Sequence, residues 1–301
     1  MKTCWIVYNP ASGRKRFSAA LERVVADIEA MGYDVEVKPT QYPRHAIEIV
    51  KEACCERVDT LLVAGGDGTL SECVNGLAEN EHRPKIAYIP SGTACDIAKT
   101  LGIPKNIDKA LDIIREDCVV EMDIARSSHG YFLYVTALGN YVAISYQTRS
   151  KLKRTLGYFA YLLTGVKEFF TMPMIKTEIH HDHGVIKGYF SLILALNSRR
   201  VAGLNIIRNP VLDDGEIDIV AFRYIPFLNN LLYIVTFLIK SPKVPGVVRL
   251  RTKNAKIYTG HHRKWTIDGE AASSGNQAIE VLKRHIRIVI HEKRRRFFPN
   301  D

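Results

Sequence analysis

The strongest constraint on the fold is a regular alternation of pattern along the first 125 residues. Short apolar runs typical of strands cover residues 3–8, 34–38, 60–64 and 85–89, and helix-like stretches lie near residues 17–31, 44–56 and 70–79. This strand–helix order predicts an α/β domain whose mostly parallel sheet is covered on both faces, with ligands bound at the carboxyl ends of the strands.

The pattern changes near residue 126. Strand-like runs follow, joined by turns such as DHG and DDG: YFLYVTALG, GYFSLILALN, GEIDIVAFRY and KWTIDGE. Two helix-like stretches, near residues 150–170 and 227–240, interrupt them. We therefore predict an α/β domain over residues 1–125, a second, antiparallel β-rich domain over residues 126–290 and a basic tail over residues 291–301.

The stretch VAGGDGTLSE, residues 63–72, places a carboxylate among glycines directly after the third strand. Its small residues leave room for a phosphate against backbone N–H groups. Thr69 and Glu72 have the spacing of a capping box, which predicts a helix beginning at Leu70 with its positive end towards the loop. Asp67 would repel a bare phosphate, so we expect it to hold a magnesium-bound water or orient a hydroxyl. The alternative is a plain strand-to-helix turn that carries an acidic residue.

Two further loops share this character. Residues 9–13, NPASG, end the first strand and precede three basic residues, and residues 90–93, PSGT, end the fourth strand. Carboxyl ends of parallel strands meet at one edge of a sheet, so three loops suited to phosphate converge there. None has the spacing of the usual NTPase loop or of the dinucleotide fingerprint. A nucleotide site of another kind is expected.

These motifs, taken in order, resemble the diacylglycerol kinase catalytic domain of the bacterial lipid kinase family, which is related to sphingosine kinases. MDIAR at 122–126, LDDGEIDI at 212–219 and IDGE at 267–270 are similar to further blocks of that family, so the resemblance spans nearly the whole chain. It implies an ATP-dependent kinase acting on a lipid hydroxyl. It also implies a nucleotide-binding first domain of the NAD kinase/diacylglycerol kinase type, a β-sandwich lipid domain and an active site in the cleft between them.

The resemblance also assigns residues. The proton acceptor falls on Glu270 with Asp268 beside it. From its place in the loop, and not from the resemblance, we expect Asp67 to help order the nucleotide's magnesium. A structural magnesium falls on Asp214 with Val211 and Glu216. The ATP contacts fall on Asn9, Pro10, Ala11, Ser12, Gly13, Thr40, Gly65, Gly66, Asp67, Gly68, Thr69, Leu70, Ser71 and Thr93.

One position departs from the family pattern. Relatives commonly read G-T-x-N-D where this chain has Gly92-Thr93-Ala94-Cys95-Asp96. The thiol of Cys95 cannot form the hydrogen bonds of an amide, which bears on the geometry around the phosphates and on nucleotide preference.

The chemistry of the residues agrees with a kinase. Phosphoryl transfer requires donors for the phosphates, a divalent cation and a carboxylate near the acceptor hydroxyl. Asp67, Asp123, Asp268 and Glu270 are expected to converge on one cleft, where magnesium would relieve their mutual repulsion. Plain turns are the alternative for both the DGE segment at 268–270 and the DDG segment at 213–215.

Charge indicates the kind of partner. The net charge is +10, and basic residues stand beside aromatic ones around residues 151–170 and in KRRRFF at 293–298. This combination suits an anionic lipid surface, the alternative being a solvated basic face with the aromatic side chains in the core. No nucleic-acid module is recognised, and HHDHG at 180–184 is interpreted as an exposed hairpin loop rather than a metal site.

The chain has no secretory signal at its start and no apolar run long enough to span a bilayer. We therefore predict a cytoplasmic protein that docks transiently at the membrane surface, and a homodimer is the assembly that we consider. The predicted reaction is ATP- and Mg-dependent phosphorylation of a lipid hydroxyl, with diacylglycerol giving phosphatidic acid as the first choice. The alternatives are a kinase for a soluble substrate such as NAD, and a non-catalytic nucleotide- or membrane-binding relative.

Overall fold

The computed structural model describes residues 1–12, 16–139, 174–198, 200–201, 204–207, 209–226, 228, 244–260 and 264–301. The helix-like stretch predicted near residues 150–170 lies outside the described residues, as does the one near 227–240 apart from residue 228. Within the described residues, no helix is both long and apolar enough to cross a membrane.

The first part of the chain is an α/β unit. Its strands β1, β2, β3 and β4 pair in parallel in the order β2-β1-β3-β4. All six residues of β3 are buried, as expected for a parallel strand covered on both faces. The elements are β1 (Lys2–Tyr8), α1 (Arg16–Ala30), β2 (Tyr33–Pro39), α2 (His45–Cys55), β3 (Thr60–Gly65), α3 (Asp67–Leu77), β4 (Lys85–Pro90), α4 (Asp96–Leu101) and α5 (Ile107–Glu116).

The start of α3 differs from the prediction. The helix begins at Asp67, not Leu70, and its N-cap is Gly66, with no side-chain capping hydrogen bond. Thr69 is already in the first turn, with its side chain packed over Gly65: a Cβ placed there would lie 2.6 Å from the Thr69 Cβ. The predicted capping box is therefore wrong, because the Thr69 side chain packs against the preceding strand and forms no capping hydrogen bond.

The rest of the chain is dominated by antiparallel strands, which pack around a second core that includes Phe132, Phe190 and Trp265. The predicted fold class, a parallel α/β unit followed by an antiparallel β-rich one, is confirmed. The strands are β5 (Val119–Ser127), β6 (Gly130–Phe132), β7 (Val135–Gly139), β8 (Ile175–His181), β9 (Gly184–Leu196), β10 (Arg200–Val201), β11 (Leu204–Asn205), β12 (Ile217–Arg223), β13 (Val247–Thr252), β14 (Asn254–Thr259), β15 (Lys264–Ile267), β16 (Glu270–Ser274) and β17 (Gln277–Val289).

The HHDHG segment forms the tip of the β8–β9 hairpin, as predicted. Its Asp182 carboxylate accepts hydrogen bonds from the Thr252 hydroxyl at 2.8 Å and from the Lys253 N–H at 2.7 Å. The acid therefore ties this hairpin to the turn between β13 and β14.

Strand β17 joins the two parts. Its first half pairs with β14, and near its end Ile288 pairs in parallel with Ile86 of β4. Between these halves the pairing of β17 with β5 is interrupted, and Arg284 there has a φ of 50°. The strand therefore bends out of the second unit and returns to the first sheet.

The C-terminal segment packs on the first unit. A 3₁₀ turn, Glu292–Phe297, carries the basic residues. Phe297 and Phe298 are 3% and 2% exposed and pack into the hydrophobic core that includes the parallel strands. In this segment the two aromatic side chains are therefore buried in the core, and the basic side chains remain at the surface. The predicted domain limits stay a prediction, since the chain beyond residue 285 contacts the first sheet again.

Candidate functional site

Three loops meet at the carboxyl edge of the parallel strands. We call residues 9–12 the first loop, 65–69 the second loop and 90–93 the third loop. The Asn9 N–H donates to the Ala64 carbonyl at 3.2 Å, and the Ser91 N–H donates to the Gly65 carbonyl at 2.8 Å. The hydroxyls of Ser12 and Ser91 are 2.8 Å apart. The predicted convergence of these loops is observed, with Gly13 of the predicted set lying outside the described residues.

The second and third loops touch through their backbones. A Cβ built on Gly92 would lie 2.5 Å from the Cα of Gly66, closer than real Cβ atoms come to other atoms. Only glycine at position 92 permits this approach. Side chains are thereby removed from the place where the two loops meet, and this leaves the room against the backbone that an anion cradle requires. The loops fit the phosphates of a nucleotide.

Asp67 of the second loop is directed towards the start of α4. Burial raises the pKa of its carboxyl, the negative charge of Asp96 adds to this, and the backbone N–H groups of Cys95, Asp96 and Ile97 lower it. Its Oδ1 is buried without a hydrogen-bond partner among the described residues. An unsatisfied buried carboxylate oxygen destabilises a fold, and oxygen is the ligand type that Mg²⁺ and its waters prefer. This residue therefore fits a hydrated magnesium ion.

The other residues predicted to contact ATP are spread around the loops. The Thr40 N–H donates to the Tyr8 carbonyl at 2.8 Å, which places Thr40 beside the end of β1. Thr93 is exposed in the third loop. Leu70 lies in α3 with a fully buried side chain, so its side chain belongs to the core. Their roles in binding ATP stay predictions.

Lys105 is a cation that the sequence motifs did not indicate. Its Nζ donates to the carbonyls of Gly92 and Thr93 at 2.8 and 2.7 Å. The lysine lies twelve residues beyond Thr93, outside any motif, and only the return of the chain after α4 brings it to the third loop. Its positive charge stands at the edge of the proposed phosphate site.

Cys95, the departure from the family pattern, is fully buried with a φ of 50° immediately before α4. Its Sγ lies 3.8 Å from the hydroxyl of Tyr88, which also donates to the Gly65 carbonyl at 3.1 Å. Burial is the largest cause of the raised pKa of this thiol. The thiol therefore packs between Tyr88 of β4 and Gly92 of the third loop.

The IDGE segment forms a tight hairpin. Ile267 pairs with Glu270, and the two turn residues Asp268 and Gly269 have φ values of 47° and 82°. Positive φ at both central positions is the pattern of a type I′ turn, for which Asp-Gly is a preferred sequence. This turn explains why an aspartate and a glycine precede Glu270.

The carboxylate of Asp268 is buried and held by four donors. It is 2% exposed, whereas a carboxylate in a plain surface turn would be solvated. Burial raises its pKa to about 6, and the donors oppose the rise. The donors are the N–H groups of Leu133, Tyr134 and Val135, at 2.8, 3.0 and 3.1 Å, and the Ser71 hydroxyl, at 2.9 Å. The hydrogen bond from Ser71 joins α3 of the first unit to the β15–β16 hairpin.

Glu270 is exposed at the start of β16, two residues after the Asp268 that Ser71 of α3 binds. Burial raises the pKa of Glu72 in α3, and the negative charge of Glu270 raises it further. The Arg44 N–H donates to Glu72 Oε1 at 3.2 Å. Glu72, which the sequence assigned to a capping box, instead holds the loop before α2 and lies beside Glu270.

The sequence predicts Asp123 in one cleft with Asp67, Asp268 and Glu270, but Asp123 lies in the interior beside the turn of residues 213–215. It is fully buried and accepts hydrogen bonds from the N–H groups of Gly215 and Arg284, each at 2.6 Å. Burial raises its pKa to about 6. The carboxylate thus ties the turn of residues 213–215 to the bend of β17, and it presents no exposed surface to a ligand.

The predicted structural magnesium site is arranged differently from a metal centre. Asp214 Oδ1 accepts a hydrogen bond from the Glu216 N–H at 3.0 Å, and its Oδ2 is paired with the guanidinium of Arg251. Val211 is half-buried just before the turn. No group of three or more His, Cys, Asp or Glu side chains in the described ranges is placed to hold a metal ion. A cationic side chain already occupies the carboxylate, so these residues do not fit the predicted cation.

Comparisons with known proteins agree on one family. The family model of the diacylglycerol kinase catalytic domain matches residues 3–127. The diacylglycerol kinase of Staphylococcus carnosus (strain TM300) is 33% identical over 290 residues, covering 95% of this chain and 94% of its own. That of Staphylococcus aureus (strain MRSA252) is 32% identical over 303 residues, covering 100% and 93%. A crystal structure of a diacylglycerol kinase from Bacillus anthracis str. Sterne superimposes with a TM-score of 0.81, at 26% identity and with 97% and 98% of the two chains covered.

Proposed function

The chain belongs to the diacylglycerol kinase family and is a lipid kinase, and from this premise we propose that it transfers the γ-phosphate of ATP, with Mg²⁺, to the hydroxyl of diacylglycerol to give phosphatidic acid. The observation that carries the proposal is the placement of Glu270 relative to the three loops. The loops meet at the strand ends of the first unit, and the hydrogen bond from Ser71 of α3 to Asp268 holds the turn directly before the exposed Glu270 against that unit.

The first unit would hold the nucleotide. Gly66 and Gly92 meet there without side chains, which leaves room for phosphate oxygens against the backbone of the loops. Lys105 adds a positive charge at the third loop. When bound, Mg²⁺ supplies charge neutralisation between the phosphate oxygens, and Asp67 is the residue that would hold one of its waters.

Glu270 is the group we assign to proton transfer. As the lipid hydroxyl oxygen bonds to the γ-phosphorus, the bond from that phosphorus to the ADP oxygen breaks, and the hydroxyl proton passes to the Glu270 carboxylate. Asp268 is less suited to this role because four donors already occupy its two oxygens. We assign it a positioning role: it fixes the turn that directs Glu270 into the cleft.

We propose an anionic membrane surface as the place where the lipid is met. The net charge of +10 favours such a surface, and exposed basic residues include Lys293, Arg295 and Arg296. With Phe297 and Phe298 buried, this segment offers charge alone, so the interaction should weaken as salt increases.

The experiment measures transfer of labelled γ-phosphate to vesicles that contain diacylglycerol, phosphatidylglycerol, sphingosine or ceramide, beside a lipid-free NAD reaction. We expect label in diacylglycerol. Glu270→Ala should lower kcat by about 10²–10⁴-fold, the usual contribution of a general base, while ATP binding and Tm stay unchanged. Glu280→Ala, which removes an exposed glutamate paired with Arg126, is the control. Label in NAD alone would overturn the proposed substrate, and full activity of Glu270→Ala would overturn the assignment of the base.

A further inference from the structure

Arg251 is built into the acidic turn at residues 213–215. It lies on β13 directly opposite Asp218 of β12, in a ladder of six paired residues that fixes its position. Its NH2 contacts Asp214 Oδ2, its NH1 lies 3.6 Å from Glu216 Oε2, and its Nε lies 3.8 Å from Asp218 Oδ1. One guanidinium therefore faces three carboxylates, through three different nitrogens.

The guanidinium supplies what this turn needs. Three carboxylates within five residues repel one another unless a positive charge lies between them. Arginine stays protonated at all ordinary pH values, and its planar donors match carboxylate oxygens in several directions. Both oxygens of Asp214 have a partner, since Oδ1 accepts the Glu216 N–H and Oδ2 pairs with Arg251. The side chain of Arg251 is 41% exposed, and those of the three acids are 19–30% exposed, so the cluster is partly shielded from water.

The position of the turn makes this charge important for the whole fold. The Gly215 N–H donates to the buried Asp123, whose other oxygen accepts the N–H of Arg284 in the bend of β17. Whatever fixes the turn therefore also fixes the place where the chain passes from the second unit back to the first.

We propose that the guanidinium of Arg251 takes the place of the divalent cation that the family resemblance predicted at this turn, so that the folded chain requires no magnesium there. Magnesium is then required only with the nucleotide. The arrangement differs from a metal site in one practical way: a covalently attached cation cannot be removed by a chelator.

Thermal unfolding without nucleotide or lipid tests this proposal independently of the kinase reaction. Tm is measured by calorimetry in excess EDTA and in excess MgCl₂ for the wild type, Arg251→Gln, Asp214→Asn and Arg126→Gln. The last variant is the matched control, since Arg126 forms an exposed ion pair with Glu280. The difference in Tm between MgCl₂ and EDTA for Asp214→Asn reports Mg²⁺ bound elsewhere in the protein. This difference is subtracted from that of each other protein to give a corrected Mg²⁺ shift.

We expect the corrected Mg²⁺ shift of the wild type to be zero. Arg251→Gln should have a Tm lower by about 2–4 °C, and Mg²⁺ should raise it by entering the vacated carboxylate cluster. The Tm of Arg126→Gln should fall less and show no Mg²⁺ response, because an exposed surface pair contributes little to stability. A wild-type Tm that rises with Mg²⁺ and loses the rise in Asp214→Asn would overturn the proposal. So would an Arg251→Gln protein that matches Arg126→Gln in both measurements.

Discussion

Replacing Gly92 with alanine should force the second and third loops apart. The added Cβ would lie 2.5 Å from the Cα of Gly66, 3.4 Å from its backbone nitrogen and 3.3 Å from the Sγ of Cys95. Carbon atoms in contact are about 3.5–4.0 Å apart, so the two backbones must separate by about 1 Å. The closest atom belongs to a backbone, so rotation of a side chain cannot relieve the overlap.

Two effects follow from that displacement. Overpacking of this kind destabilises by about 1–3 kcal/mol, and each kcal/mol lowers the Tm of a large domain by about 2–4 °C. A shift of about 1 Å in groups that position a substrate lowers kcat by about 10²-fold. We therefore expect Gly92→Ala to raise the KM for ATP, lower kcat and reduce Tm by several degrees. Initial rates with labelled ATP and diacylglycerol vesicles, together with calorimetry, measure all three.

Gly260→Ala is the control, because a Cβ at that exposed glycine would meet no atom within 4 Å. It should behave as the wild type. If Gly92→Ala also kept the wild-type KM for ATP, kcat and Tm, the two loops would not meet through their backbones, and the cradle described above would be refuted.

Two further predictions concern buried carboxylates. Ser71→Ala removes one hydrogen bond to the Asp268 carboxylate, so Tm and kcat should both fall by amounts that correspond to about 1.5–3 kcal/mol. The control Ser273→Ala removes an exposed hydroxyl beside His129 and should change neither quantity. If calorimetry and initial rates gave the same values for both variants, the coupling between α3 and the hairpin would be contradicted. Burial raises the pKa of Asp123 to about 6, above the ordinary aspartate value of 3.8, so the folded state binds its proton more tightly and this contribution to stability is lost as pH rises through 6. From pH 5 to 7 the free energy of unfolding should fall by about 1.3 kcal/mol because of Asp123. Denaturant unfolding of Asp123→Asn should show a fall smaller by that amount. An unchanged fall in the variant would mean that another group titrates.

The sequence alone determined the framework of the site. Strand and helix periods are local properties, so the alternation over the first 125 residues was sufficient to predict the parallel sheet. A parallel sheet brings the carboxyl ends of its strands to one edge, so the convergence of the NPASG, GGDGT and PSGT loops followed without knowledge of any long-range contact. The Asp-Gly turn before Glu270 is likewise local, since positive φ at both central residues favours that pair.

Other features depended on packing between residues far apart in the chain. Thr69 has the spacing of a capping residue, but its side chain packs over Gly65, so α3 begins two residues earlier than Thr69. Lys105 reaches the third loop only because of the path that the chain takes around α4. Neither contact can be predicted from a local sequence pattern.

The partners of the acidic residues were decided by tertiary structure alone. Ser71 and Asp268 are separated by 197 positions in the chain, and their hydrogen bond exists only because the second unit docks on α3. Arg251 reaches Asp214 across the β12–β13 ladder, which turned a predicted magnesium site into an ion-pair cluster. A sequence shows which residues can carry charge or form a turn, but long-range strand pairing determines which charges face one another.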